Sequence, residues 1–291
     1  MRGISVRGRL PSVRGPRGMT GWRWLAPAVV VLLLVTAWPL GRAVWTSLST
    51  DPLTSPGDRQ FVGIDNYVDV LSSRTWWLAV AATLVIVVLV VAAQLVLGLA
   101  FAAALRRAGA LWPVTRVLVL LPFGLLAVVS AVMWRDAVTT GFAASWFRLD
   151  DVGPFGSLVA VCVGEVWRGT GITAVILLAG LHRVPSSLMA SAVADGATGR
   201  QRFTRVVLPA MGPALAVATT YRALDAFRML EGPLVADQTG AGVRTAPFLV
   251  WDTTFSSLEL GLGAAMSVVL VVLAGLLAAV LVPLLSVRRV V

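Results

Sequence analysis

Long apolar runs without charged side chains constrain this chain more than any other feature of its sequence. The longest, residues 76–105, contains no Asp, Glu, Lys or Arg. No water is available inside a membrane to form hydrogen bonds with the backbone. A spanning segment of about 20 apolar residues therefore has to form its backbone hydrogen bonds internally, as a helix. The chain is therefore predicted to be an all-α membrane protein.

Six segments are predicted to cross the membrane as one domain over residues 24–285. With 58% hydrophobic and 13% charged residues, the chain is too apolar for a soluble domain. The first segment is too long for a secretory signal and lacks a small-residue cleavage site, so we expect it to be retained. Pro122 is expected to bend the third. The predicted spans are residues 24–48, 76–105, 111–134, 157–182, 214–230 and 258–285.

The arginines predict which side of the membrane each loop occupies. The four segments on one side hold six, three, four and two arginines but a single acid, Asp195. Cytoplasmic loops carry such an excess of basic residues. The tail 1–23, the loop 183–213 and the tail 286–291 are therefore predicted to be cytoplasmic. The net charge of +10 reflects topology, and no nucleic acid partner is expected.

Several chemistries are excluded by residues that the chain lacks. All 24 basic residues are arginine, so no Walker A lysine is present and the chain cannot be its own P-loop ATPase. A single histidine (His182) and a single cysteine (Cys162) exclude the usual zinc sites and an intrachain disulfide. We therefore predict no catalytic residues, no metal site and no cofactor in this chain.

The polar interval 183–213 is predicted to form two short helices with a sharp corner between them. Pro185 and the two serines after it suit a helix start, where a hydroxyl can cap free N–H groups. Gly196 can take the left-handed conformation that ends many helices. A basic second segment follows, and Pro209 is expected to end it. The first helix carries an apolar stripe that predicts a docking surface: Leu188, Met189, Ala192 and Val193.

The spacing in this loop resembles the cytoplasmic EAA loop of ABC importer permeases. That pattern runs Glu-Ala-Ala, three residues, Gly, nine residues, Ile-x-Leu-Pro, and here Ala190-Ser191-Ala192, Gly196, Val206 and Leu208-Pro209 occupy those positions. Ala190 replaces the Glu, so the salt bridge that the Glu would offer a partner is not expected. The resemblance implies that a separate ATPase docks on this loop. The implied contact residues are Leu188, Met189, Ala192, Asp195, Gly196, Ala197, Phe203, Leu208 and Pro209.

Charged residues also occur inside the predicted fourth and fifth spans. Glu165 and Arg168 are three residues apart, and so are Arg222 and Asp225, so each can form a local ion pair. One interpretation is that these groups only neutralise one another and hold the helices together. The other is that they line a polar path, where charged groups bind sugar hydroxyls and aromatic rings such as Tyr221 or Phe227 cover the C–H surfaces. The predicted substrate contacts are Tyr221, Asp225, Arg228, Glu165 and Trp167.

Three further stretches resemble binding-protein-dependent sugar importers of the maltose and trehalose type. They are EVWR (165–168) leading to LLAGL (177–181), ALDAFR (223–228), and FVGIDNY (61–67) in the first outside loop. The resemblance implies a type I ABC importer permease fold in a bacterial plasma (inner) membrane. It also implies a second homologous permease subunit, two ATPase subunits that bind ATP and Mg²⁺, and an extracytoplasmic solute-binding protein. The implied substrate is a disaccharide, with trehalose the first choice.

Other functions remain open at this stage. The arginines of the fifth span also suit a permease for glycerol-phosphate or another polyol. An ion-coupled secondary transporter would show inverted repeats and paired broken helices, which the sequence does not suggest. A membrane-embedded enzyme could use Glu165 or Asp225 as an acid or base, but no motif joins either residue to a nucleophile or a metal.

Overall fold

The structure of the chain, a computed structural model, describes residues 19–50, 59–107, 112–139, 154–237 and 243–286. The predicted N-terminal tail up to residue 18, the loop residues 51–58, 108–111, 140–153 and 238–242, and the last five residues lie outside this part. The helices are α1 Met19–Ser47, α2 Asp65–Ser72, α3 Arg74–Arg107, α4 Trp112–Gly124, α5 Ala127–Thr139, α6 Pro154–His182, α7 Ser186–Ala194, α8 Gly199–Arg202, α9 Leu208–Ala210, α10 Gly212–Phe227, α11 Glu231–Asp237, α12 Ala246–Trp251 and α13 Leu260–Ser286. Two π-helical turns, Phe203–Val207 and Asp252–Ser256, follow α8 and α12, and the strands β1 Ser49–Thr50 and β2 Gln60–Phe61 form a small antiparallel pair.

Among the described residues, four single helices are long and apolar enough to cross a membrane: Ala26–Ser47, Arg74–Arg107, Phe155–His182 and Leu260–Leu285. Two more candidates are bent pairs, Val117–Gly124 with Ala127–Val138 at 97° and Gly199–Ala210 with Gly212–Ala236 at 69°. The helical character predicted from the sequence is confirmed. Six spans result if each bent pair counts as one, so the six-span topology stays a prediction.

The third predicted span is not one continuous helix. α4 ends at Gly124 and α5 begins at Ala127, with an angle of 97° between them. The break follows Pro122, whose ring and missing N–H disfavour a straight helix. A bend near Pro122 was predicted, but its size was not. Residue 111, the predicted start of this span, lies outside the described residues.

The third outside loop, predicted over residues 231–257, is largely helical. The fifth predicted span breaks after Phe227, and α11 then continues it to Asp237. α12 begins after Thr245, whose hydroxyl accepts a hydrogen bond from the Phe248 N–H at 3.4 Å. The hydroxyl of Thr83 on α3 accepts from the Ala246 N–H at 2.9 Å. These caps and the buried start of α12 fix the segment against the membrane helices.

The FVGIDNY stretch has a structural role at the C-terminal end of α1. The buried amide of Asn66 donates to the carbonyl oxygens of Ser47 at 2.8 Å and of Ser49 at 3.1 Å. The hydroxyls of Tyr67 and Ser47 lie 2.5 Å apart. Gly63 has a φ of +61°, which suits glycine at this turn. The motif therefore ties α2 to the chain segment that enters β1.

The core of residues 46–291, which form one compact unit, lies between α3, α6 and α10. Ala102 of α3, Leu177 of α6 and Ala218 of α10 are buried in one apolar cluster with Met211. A second cluster joins α2, α3, α12 and α13 through Val70, Trp76, Ala246 and Ala265. Residues 19–45, which make up most of α1, belong to a separate unit. Leucine and valine side chains are exposed on α1, α3 and α13, as expected for surfaces covered by lipid or a partner.

Candidate functional site

A charged cluster joins α6 and α10 inside the helix bundle. Both predicted local ion pairs are confirmed: Arg168 Nη2 lies 3.0 Å from Glu165 Oε2, and Arg222 Nη1 lies 2.7 Å from Asp225 Oδ2. The pairs are also linked across the helices, with Arg222 Nη2 2.5 Å from Glu165 Oε1 and Arg168 Nη2 3.4 Å from Asp225 Oδ2. The four side chains therefore form one network that holds the two helices together.

Gln94 of α3 belongs to this network and was missed in the sequence. Its fully buried side chain accepts a hydrogen bond from Arg222 Nε at 2.8 Å. The same amide donates to the backbone carbonyl of Glu165 at 2.7 Å. An amide in the middle of the uncharged run 76–105 was the signal that could have identified it, because a polar group there needs a partner.

Gly169 on α6 provides the space that the network occupies. A Cβ atom at this position would overlap the guanidinium group of Arg222 and the amide of Gln94. The three helices can therefore bring their polar side chains together only where α6 has no side chain. Sequence reasoning did not single out this glycine.

Burial separates the inner part of the network from its rim. The side chain of Arg222 is 0% exposed and that of Glu165 is 5% exposed, whereas that of Arg228 is 73% exposed. Arg228 Nη2 lies 3.6 Å from Asp225 Oδ1. Counting Arg228, three arginines face two carboxylates, which leaves one positive charge in excess. The contacts that the ion-pair interpretation requires are therefore formed. The proposed sugar contacts remain predictions.

The predicted aromatic contacts fall into different environments. Tyr221 is exposed, and the guanidinium carbon of Arg222 lies 5.9 Å from its ring centroid. Trp167 packs edge-to-face against Trp134 with ring centroids 6.0 Å apart. Phe227 is buried in the core, so it has no surface available for a ligand in this conformation. Tyr221 is thus the aromatic residue of α10 that a substrate can reach.

A narrow cleft between α5, α6 and α11 reaches the edge of the network. Both Glu165 and Arg168 line it, together with residues outside the predicted site: Ser130, Arg135, Gly164 and Glu231. Tyr221, Asp225 and Arg228 do not line it. The predicted substrate residues are therefore divided, with Glu165 at the cleft and Tyr221, Asp225 and Arg228 elsewhere. Arg135 and Glu231 each lie one residue beyond the end of a predicted span, at 134 and at 230.

The corner predicted in the loop 183–213 is confirmed. α7 ends at Ala194, and Gly196 has a φ of +73° in the left-handed region. Thr198 and Gln201 then form a capping box, in which Thr198 Oγ1 accepts from the Gln201 N–H at 3.3 Å and Gln201 Oε1 accepts from the Thr198 N–H at 2.8 Å. Two features differ from the prediction. Pro185 occupies the N-cap position without a side-chain cap, and Pro209 lies inside α9, since the π-helical turn before it lets the helical path continue to Ala210.

The apolar stripe on α7 has an outward and an inward part. Leu188 and Val193 are 49% and 54% exposed, and Phe203 on the next segment is also exposed. Met189 packs against the core instead. Of the remaining loop residues predicted to contact an ATPase, Asp195, Gly196 and Pro209 are exposed, whereas Ala192, Ala197 and Leu208 are half-buried. The surface offered to a partner is therefore narrower than the predicted stripe.

The sequence and the fold of this chain are similar to those of transport proteins. No protein-family profile matches the chain. The trehalose transport system permease protein SugA of Mycobacterium tuberculosis is 38% identical over 251 residues, which cover 84% of this chain and 82% of that protein. The trehalose/maltose transport system permease protein MalF of Thermococcus litoralis is 29% identical over 263 residues, which cover 87% of this chain and 89% of the relative. The crystal structure of a bacterial ABC transporter involved in the import of the acidic polysaccharide alginate has the same fold, with a TM-score of 0.76, 17% identity, and coverage of 93% of this chain and 96% of that chain.

Proposed function

Because the chain belongs to the permease subunits of the sugar-importing ABC transporter family, we propose that it forms half of the membrane channel of an ATP-driven importer. The substrate is a disaccharide, with trehalose the first choice. The 38% identity to a trehalose permease over 84% of the chain supports this substrate. The chain itself performs no chemistry, and ATP and Mg²⁺ bind to separate ATPase subunits.

The observation that carries the coupling role is the corner between α7 and α8. Leu188 and Val193 are exposed on one side of it, and Gly196 sets the angle between the two helices. We propose that the ATPase receives this surface in a groove. Closure of the ATPase subunits then moves the corner, and the buried cluster on α6 and α10 transmits the movement as a rigid unit.

The complete importer contains three further kinds of subunit. A second homologous permease lies beside this chain in the bacterial plasma (inner) membrane, two ATPase subunits lie below it, and an extracytoplasmic solute-binding protein delivers the sugar. In this arrangement six spans place both termini in the cytoplasm. The exposed leucine and valine side chains on α1, α3 and α13 are available to lipid and to the second permease.

Substrate contact is proposed for the residues at the edges of the charged cluster. Glu165, Trp167, Tyr221, Asp225 and Arg228 stay the predicted sugar contacts. One observation favours a second candidate substrate, glycerol-phosphate or another polyol: the cluster has one positive charge in excess when Arg228 is included. The buried arginines are already paired with carboxylates, however, so we place the neutral disaccharide first.

The coupling role is tested at Gly196 with two substitutions that differ in their tolerance of positive φ. Within this chain nothing lies within 4 Å of a Cβ atom built there, so neither substituted side chain clashes with the rest of the chain. Valine resists the left-handed region, whereas asparagine visits it readily. We expect Gly196→Val to reduce trehalose uptake in proteoliposomes by roughly tenfold or more while ATP hydrolysis continues, since about 1–3 kcal/mol of backbone strain distorts the corner.

Gly196→Asn is the matched control and should retain most of the uptake. Equal uptake by the Val and Asn variants would contradict the coupling role of the corner. Purification of the complex tests the wider proposal at the same time. If no ATPase subunit accompanies the chain in stoichiometric amount, the importer assignment fails and an ion-coupled transporter gains support.

A further inference from the structure

The cleft between α5, α6 and α11 has a chemical character that the ion-pair network does not explain. Its lining includes two arginines, Arg135 and Arg168, and two carboxylates, Glu165 and Glu231. We propose that this cleft is a subsite that binds hydroxyl groups of a neutral sugar and rejects anions, with Glu231 as the specificity-determining side chain. The inference rests on the proposed import function and assigns part of its substrate path.

The arginines of the cleft are already engaged by carboxylates. Arg168 donates to both oxygens of Glu165, at 3.0–3.1 Å. Arg135 donates to Asp136 Oδ1 at 2.9 Å. An incoming phosphate would compete with these carboxylates, since it can only accept hydrogen bonds from the same donors.

Glu231 is attracted by Arg168, but among the described residues no arginine comes within 4 Å of its carboxylate. One oxygen, Oε2, accepts a hydrogen bond from the Leu230 N–H at 3.3 Å. The other oxygen can accept from a ligand. A sugar hydroxyl donates to such a carboxylate and accepts from an arginine at the same time, whereas a phosphate is repelled by it.

The shape and position of the cleft suit contact with one edge of a sugar. Gly164 and Gly232 line the cleft beside the charged side chains, and the small empty space between them suits hydroxyl groups rather than a whole ring. A helix rises about 1.5 Å per residue, which places Glu165 roughly 25 Å along α6 from its loop end at His182. The cleft is therefore far from the coupling corner, in the half of the path that a sugar meets first.

Occupancy of the cleft can be measured with a single cysteine and without the binding protein. Cys162 is the only cysteine of the chain, so Cys162→Ala gives a background in which Ala131→Cys, on the cleft wall, is the only thiol of this chain, and its labelling is read on the separated subunit. We expect trehalose to slow maleimide labelling of this cysteine in the assembled complex. Glycerol 3-phosphate at the same concentration should protect it at least tenfold less well, because Glu231 repels the phosphate.

Glu231→Gln in this background tests the specificity role. We expect the trehalose concentration for half-protection to rise roughly tenfold, because the charged acceptor is lost, while protection by glycerol 3-phosphate improves. Glu259→Gln is the matched control, since it removes an exposed carboxylate that does not line the cleft, and it should change neither value.

The results separate the subsite from the import function. The subsite is wrong if the parent complex takes up trehalose but trehalose does not protect Ala131→Cys. It is also wrong if glycerol 3-phosphate protects equally, or if Glu231→Gln and Glu259→Gln behave alike. If the parent complex takes up no sugar at all, the proposed function itself fails, and the subsite fails with it.

Discussion

Arg222 is held by groups on all three core helices. Its guanidinium contacts Glu165 of α6, Asp225 of α10 and Gln94 of α3, at 2.5 to 2.8 Å. Removing one partner from a buried ion pair commonly costs about 3–5 kcal/mol, because the remaining charge is left without compensation. The cluster therefore fixes the relative positions of these helices strongly, whether or not it also contacts a sugar.

Gly169→Ala should weaken this fixed arrangement. The added methyl group would overlap the Arg222 guanidinium and the Gln94 amide, so Arg222 has to give up part of its contact with Glu165. We expect the detergent-purified complex to unfold about 5 °C lower or more in a thermal-shift measurement. Gly275→Ala is the matched control within another long helix, since a Cβ atom at that position meets nothing within 4 Å.

A double-mutant cycle with Arg222→Leu identifies the cause of the loss. If the methyl group acts by displacing Arg222, then Gly169→Ala should add little destabilisation once the arginine is absent. Fully additive losses, or equal losses for Gly169→Ala and Gly275→Ala, would show that the close approach to Arg222 is not what the glycine provides.

For individual residues, the sequence predicted the ion pairs within each helix but not the contacts between helices. Glu165 and Arg168, like Arg222 and Asp225, lie three residues apart, and helical periodicity places them on one face. The contacts from Arg222 to Glu165 and to Gln94 cross 57 and 128 residues of chain. Such contacts depend on how the helices pack, which a single sequence does not contain.

The antiparallel pair of β1 and β2, called the hairpin below, shows how one side chain can hold an irregular element. Asn66 donates to two carbonyl oxygens of the segment 47–49, and it is buried. A buried carbonyl that loses its partner costs about 1–3 kcal/mol. Asn66→Asp keeps the shape of the side chain but replaces the donor by an acceptor, so it should lower the thermal-shift midpoint of the complex by several degrees.

Gln60→Ala serves as the control for this prediction because Gln60 is exposed in the same hairpin and bonds there through its backbone. We expect it to leave the midpoint within about 1 °C, as is usual for surface changes. If Asn66→Asp also leaves the midpoint unchanged, the amide does not hold the hairpin, and the FVGIDNY stretch has some other role.

The elements that were predicted well are those whose helical structure is determined by hydrophobicity alone. α3, α6 and α13 follow from long apolar runs, whose backbone can satisfy itself only as a helix. The breaks in the third and fifth spans and the helices of the third outside loop depend on local features such as Pro122 and the cap at Thr245. Pro122 predicted a bend in the third span but not its size, and the cap at Thr245 was not recognised in the sequence.

The molecule as a whole is asymmetric in charge along its predicted membrane normal. The loop between α6 and α10 carries four arginines and one acid, whereas α2 carries two acids and no base. Since basic residues are retained on the cytoplasmic side, the loop and α2 should lie on opposite sides of the membrane. Every part of the proposed mechanism depends on this orientation, because an ATPase can reach Leu188 and Val193 only from the cytoplasm.

Two single cysteines in the Cys162→Ala background test the orientation directly. Ser72 at the end of α2 and Ser187 in α7 are both exposed, so a cysteine at either position can react. In intact spheroplasts a membrane-impermeant maleimide should label Ser72→Cys and leave Ser187→Cys unlabelled; inside-out vesicles should give the reverse, because the arginine-rich loop then faces the reagent. The parent without cysteine measures background labelling, and permeabilised cells verify that both positions can react. Labelling of Ser187→Cys in spheroplasts would place the corner at Gly196 outside the cell, and no ATPase could then act on it.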